Sequence, residues 1–170
     1  PLIQKLEEQH HHLFVKNLPV LLKVGKILSV EDHPNAEKLY VEKIELGNGE
    51  VRTIVSGIKH WYKKEELVGK QVIVVANLKP AKLRGVMSEG MLLASHHGEH
   101  LQVVEASKSN PGDIVFLEGE TKNAKDISRP KEIVYEEFEK FPISVLKKRV
   151  VCLGKKLRTE KEELIVDMPE

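Results

Sequence analysis

Three cations stand close together in Asn77-Leu78-Lys79-Pro80-Ala81-Lys82-Leu83-Arg84-Gly85. Lys79, Lys82 and Arg84 are the residue types that hold phosphates. An ammonium is a compact point charge, and a guanidinium grips an oxyanion with two parallel donors. Pro80 stiffens the segment and Gly85 allows a tight exit, which limits the entropy lost when a ligand is taken up. The same composition also fits an ordinary solvated basic loop, and these residues alone do not separate the two readings.

Other chemistries find no support in the residues. The sequence carries no phosphate-binding glycine-rich loop, no His-Glu-x-x-His and no paired-cysteine motif. His33, His60, His96, His97 and His100 fall in turns and loops without a ligand spacing, and adjacent His96 and His97 would point to opposite sides of an extended chain. Asp32-His33 has the makings of an acid–base pair, yet Asp32-His33-Pro34-Asn35 reads as a turn. Ser56-Gly57 lacks the flanks of a nucleophile elbow. No catalytic residue, metal ligand set or cofactor is expected, so a non-catalytic binding module is the reading to test.

The elements that must position Lys79, Lys82 and Arg84 are mostly strands. Leu22, Val24, Leu28 and Val30 alternate, with Lys26 interrupting, and Gly25 marks a sharp bend of the kind found at a barrel corner. Leu39, Val41, Ile44 and Leu46 follow with a slip in spacing after Val41, which predicts a bulge in the second strand. Asn48-Gly49 is a strong hairpin signal leading into a strand over Val51–Ser56. Residues 61–68 suggest a short helix closed by Gly69. The unbroken apolar run 71–77 reads as a central strand, so the basic segment after it should be a loop at one rim. Residues 87–94 and 101–104 give two more strands, with Met87 and Leu92 expected in the core. Asn110-Pro111-Gly112-Asp113 turns the chain into a strand at Ile114–Leu117. Short strands at even spacing predict a small β-barrel.

After Gly119 the pattern changes. Residues 122–129 read as a polar connection, and Pro130 suits the first turn of a helix whose apolar stripe is Val134, Phe138 and Phe141. Two strand-like runs, 150–153 and 164–166, follow. The expected organisation is a lead-in at 1–20, a barrel domain at 21–120 and a smaller α+β unit at 121–170. The lead-in holds His10, His11 and His12, which fit a polar linker or short helix, with a tag remnant or adventitious metal patch as the alternative.

At 170 residues with 41% hydrophobic content, the chain can bury a core. Its net charge is only +1, but seven basic residues face two acidic ones between Lys59 and Arg84, a local balance of +5. Charge segregated in this way is an electrostatic footprint for nucleic acid. The single cysteine, Cys152, excludes an internal disulfide and a cysteine-based zinc site, and suits a reducing, cytoplasmic setting. No run approaches the length of a membrane helix.

The stretch NLKPAKLRGVMSEGMLLAS resembles the signature of the EMAPII-like tRNA-binding domain, found as a C-terminal appendix of some methionyl-, tyrosyl- and lysyl-tRNA synthetases and in free-standing synthetase cofactors. VGKILSVEDHPNAEKLYVEKIELG is similar to the opening two strands of that family, VRTIVSGI to its third, and RPKEIVYEEFEKF with VVCLGKKL to its extra C-terminal unit. The resemblance spans about 22–167. It implies an OB-fold five-stranded barrel with a C-terminal unit packed beside it that imitates a dimer partner, giving a monomer. It also implies non-specific, structure-directed tRNA binding that tethers tRNA to an aminoacyl-tRNA synthetase in the same chain or as a partner. Asn77, Lys79, Lys82, Arg84, Ser88 and Met91 are the implied binding residues. Lys82 and Arg84 would meet phosphates, Ser88 would donate to a phosphate or sugar, and Met91 would touch a base. Asn77 either binds or fastens the loop. Trp61 either stacks on a base or caps the barrel half-buried. A released cytokine-like signalling role and a scaffold role in a multi-synthetase complex are the alternatives.

Overall fold

The first strand is the spine of the molecule. β1 (Leu22–Asp32) pairs antiparallel along one edge with β4 (Gln71–Val75). Along its other edge lie β10 (Ile114–Leu117) and then β2 (Tyr40–Glu45), which pairs in turn with β3 (Val51–Ser56). A short strand, β7 (Met91–Leu92), lies beside β4. The fold is mainly β, antiparallel and OB-like. The computed structural model describes residues 19–119, 132–141, 143–152 and 154–167. The expected lead-in up to residue 18, the connection at 122–129 and the helix start at Pro130 lie outside the described residues.

Gly25 sits where β1 crosses β2 so closely that a Cβ there would lie 2.6 Å from Ile44 Cγ2. Asn48 and Gly49 both have positive φ, as the hairpin between β2 and β3 requires. β4 is buried on both faces: Val72 and Val74 join the barrel core with Ile27, Ile44 and Ile54, while Ile73 and Val75 join a second core with Val150, Cys152 and Leu157. Two buried faces explain an unbroken apolar run where a half-buried strand would alternate.

The second core is shared, with Leu22, Val115 and Leu117 meeting Val150, Cys152, Leu157 and Leu164. β13 (Lys155–Arg158) pairs with β10, and β12 (Arg149–Cys152) and β11 (Ile143–Leu146) extend the sheet outward. Phe138 and Phe141 pack partly buried against this core, Phe138 from the one-turn helix α2 (Tyr135–Phe138). Cys152 is buried there, and desolvation pushes its thiol up to about 12, far from a reactive thiolate.

Several expectations need correcting. The bulge is in β1, between Ile27 and Ser29, and Leu28 is exposed; β2 itself alternates without a slip. Glu42 is fully buried between Tyr40 and Ile44, so counting it as an outward residue produced the false slip. Residues 87–94 do not form one strand but contribute to β6 (Val86–Ser88), β7 and β8 (Ala94–His97), with β8 pairing to β9 (His100–Val103). The helix at 61–68 shrinks to one turn, α1 (Lys64–Leu67). Leu92 is core as expected, but Met87 is 48% exposed.

Candidate nucleic-acid interface

The basic segment is not an open loop. Ala81–Leu83 forms β5, which pairs with β6 in a short hairpin, with Lys82 opposite Met87 and Leu83 opposite Val86. Its two-residue turn is Arg84-Gly85, with φ of 53° and 94°. Glycine adopts that conformation freely, whereas an arginine there costs about 1–2 kcal/mol. Such a residue persists only where its surroundings hold it.

The hairpin is held at three places. At its base, the Asn77 carboxamide accepts from the Leu21 N–H and donates to the Pro19 carbonyl, each at 2.8 Å. Beside it, the Lys79 N–H donates to the Ile133 carbonyl and the Ile133 N–H donates to the Asn77 carbonyl, so the C-terminal part grips the same base. At its tip, His33 Nε2 donates to the Leu83 carbonyl at 2.8 Å and the Asn35 amide donates to the Arg84 carbonyl at 3.3 Å. The Asn35 N–H donates to His33 Nδ1, which puts the imidazole hydrogen on Nε2. At its exit, the Val55 N–H donates to Ser88 Oγ, and Glu89 exchanges two bonds with the Thr53 backbone, one from its N–H and one through its carboxylate. Arg52 reaches under this exit to the Ala76 and Glu89 carbonyls.

The anchors use backbone groups and side chains other than the three cations, which leaves those cations outward. Lys79, Lys82 and Arg84 are exposed, and among the described residues none has a carboxylate partner. Part of the remaining local positive charge is neutralised. Lys59 and Lys64 both pair with Asp32 at 3.0 Å, and Lys70 pairs with Glu105. The two lysines hold the Asp32 carboxyl below its usual range. Asp32 and His33 are thus occupied separately and form no acid–base pair.

The six implied binding residues divide. Lys79, Lys82 and Arg84 come together on the exposed hairpin. Asn77 is buried and its carboxamide fastens the chain. Ser88 is also buried; its hydroxyl donates to the Gly90 carbonyl and accepts from the Val55 N–H. Met91 is half-buried on β7, packed against the second core. Trp61 is half-buried as well, its indole N–H donating to the Glu99 carbonyl. The sequence reading did not single out His33, Asn35 and Arg52 as fasteners of the hairpin, or Met87 as an exposed residue on it. Only His33 and Asn35 carried a signal, as a turn next to a strand end.

Among the described residues no group of three His, Cys, Asp or Glu side chains could hold a metal ion, and no helix is long and apolar enough to cross a membrane.

Comparison with known proteins gives one family. The family described as "Putative tRNA binding domain" matches residues 22–113. A methionine--tRNA ligase of Treponema denticola is 46% identical over 119 residues, covering 67% of this chain and 14% of that protein. A methionine--tRNA ligase of Pyrococcus horikoshii is 59% identical over 87 residues, covering 51% of this chain and 12% of that protein. The chain therefore spans only a small part of these relatives. The C-terminal domain of Plasmodium vivax p43 superimposes with a TM-score of 0.80 at 29% identity, covering 88% of this chain and 93% of that one.

Proposed function

The chain belongs to the tRNA-binding-domain family, and on that premise we propose that it holds tRNA on the β5–β6 hairpin and does no chemistry itself. The observation that carries this reading is the hairpin's construction: three cations with no carboxylate partner among the described residues, on a short ribbon fastened at base, tip and exit. A pre-ordered ribbon loses little entropy on binding. Lys79, Lys82 and Arg84 meet backbone phosphates, Arg84 with two donors at once. Met87, exposed opposite Lys82, adds an apolar contact to a sugar or base. Phosphate contacts without base-edge donors recognise shape more than sequence.

Affinity on the order of micromolar at physiological salt follows from so few contacts. The value of such a module is tethering. Attached to or associated with an aminoacyl-tRNA synthetase, it raises the effective concentration of tRNA near the catalytic site. The alignment to methionine--tRNA ligases supports that setting, and with it a cytoplasmic place in translation. The C-terminal part covers the β10 edge and grips the hairpin base, which supports its standing in for a second copy, so that a monomer suffices.

The test is a tRNA titration at two salt concentrations with wild type and with Lys82→Ala/Arg84→Ala. Wild type should bind several tRNAs and weaken with salt. The double variant should lose most binding, and its slope of log K against log salt should flatten by roughly 1.4–1.8, about 0.7–0.9 for each phosphate lost. A wild-type chain that ignores tRNA at low salt would overturn the reading.

A further inference from the structure

A cleft of about 440 Å³ opens beside the hairpin, lined by Glu37, Lys38, Gly57, Lys59, His60 and Trp61. Its size lies within the roughly 300–1,000 Å³ range of small-ligand sites. Trp61 forms one wall and is rigid. Its backbone N–H donates to the Ile58 carbonyl, its indole N–H is held by Glu99, and the His60 and His96 rings pack edge-on at 5.0 and 5.4 Å. The rim carries two ammoniums and one carboxylate. Lys38 is exposed and has no carboxylate partner among the described residues, while Lys59 shares Asp32 with Lys64. An aromatic wall under a net positive rim suits a flat apolar ring that carries a phosphate.

The cleft and the hairpin share one segment of chain. The β1–β2 connection runs from Asp32 to Tyr40; Asn35 on it holds the Arg84 carbonyl, and three residues later Lys38 lines the cleft. A nucleic acid lying on Arg84 therefore reaches Trp61 along a single connection. We propose that this cleft takes an unpaired nucleobase of the bound RNA, stacked on Trp61, with Lys38 and Lys59 on the adjoining phosphates. The inference rests on the tRNA reading for its ligand class, but the site is separate from the hairpin and is tested separately.

Trp61 is the one tryptophan of the chain, so its emission reports this cleft alone. The full chain is titrated with hexa-adenylate, with a blunt RNA duplex and with whole tRNA, following tryptophan emission and, in parallel, anisotropy of labelled RNA. Hexa-adenylate and tRNA should quench Trp61, and the duplex should not. Gly57→Leu fills the cleft: Gly57 lacks a positive φ, and a Cβ there meets only Leu39 Cδ2, at 3.6 Å. That variant should lose the quench and weaken tRNA roughly 5- to 100-fold, the worth of stacking one base. Lys38→Glu, on the exposed rim, should weaken both signals even where Gly57→Leu disturbs folding. If tRNA binds with unchanged emission and both variants bind it like wild type, the cleft is overturned and the hairpin stands. Quenching by hexa-adenylate without tRNA binding supports the cleft and removes the hairpin reading. No quenching and no binding overturns both.

Discussion

His33 Nε2 lies 2.8 Å from the Leu83 carbonyl, joining a buried turn histidine to a hairpin 50 positions later in sequence. The bond matters because its neighbour, Arg84, has a left-handed backbone that an arginine does not choose unaided. The imidazole acts as a connector: it accepts from the Asn35 N–H through Nδ1 and donates to the hairpin through Nε2. A residue type that often signals catalysis is here a two-ended bracket for a binding element.

Asn35→Ala isolates the outer half of that bracket. Asn35 is exposed and its amide bond to the Arg84 carbonyl is 3.3 Å, so global stability should be unchanged. The turn would be released, and tRNA affinity should fall about two- to tenfold, the worth of one hydrogen bond. Equal affinity, with unfolding midpoints also equal, would show that Arg84 needs no holding at its tip.

Ser88→Ala should behave as a stability variant before it behaves as a binding one. The change leaves the buried Val55 N–H without its acceptor and removes the donor to Gly90. A cost of about 1–3 kcal/mol is expected in urea unfolding. Binding measured well below the unfolding transition should recover in proportion to the folded fraction. Full stability with abolished binding would instead place the hydroxyl on the RNA.

Met87 and Leu92 separate contact from core. Leu92 is 7% exposed inside the barrel, so Leu92→Ala should cost about 2–5 kcal/mol of stability. Met87→Ala should leave stability within about 0.5 kcal/mol, as exposed positions do. Its tRNA affinity should drop roughly fivefold, the equivalent of about 1 kcal/mol of apolar burial. Chemical denaturation and anisotropy on the same two preparations decide the matter.

The β fold was legible because its punctuation is chemical. Asn48-Gly49, Asn110-Pro111-Gly112-Asp113 and the run before Asn77 are residue choices with backbone reasons. The outward placing of Lys79, Lys82 and Arg84 was legible too, since a run of cations around Pro80 is rarely buried. What misled is tertiary. Met87 resembles a core residue in composition, and only the register opposite Lys82 turns it outward. Ser88 and Asn77 look like surface donors, and only the neighbouring Val55, Leu21 and Pro19 reveal them as fasteners. β11 and β13 left little trace because each is only four residues long, and β13 buries one apolar residue, Leu157, among Lys155, Lys156 and Arg158. Partners distant in sequence decide all of these, and periodicity carries no such information.

Glu42 shows the same blindness and sets a pH dependence. Its side chain is fully buried; one carboxyl oxygen accepts from Ser56 Oγ at 2.6 Å, and the other has no partner among the described residues. Desolvation pushes its pKa up to about 8, only partly offset by Ser56. The folded chain therefore keeps a proton that the unfolded chain releases above its ordinary pKa of 4.5. Between those values the native state binds more protons than the unfolded one, so stability declines as pH rises from about 4.5 towards 8 and then levels off. At neutral pH the loss attributable to this group is about 2–4 kcal/mol. Glu42→Gln keeps the acceptor for Ser56 and cannot ionise, so its urea midpoint should vary much less across that window and exceed that of wild type at pH 8. A wild-type profile flat from pH 5 to 8 would mean that Glu42 gains a partner or reaches water in solution.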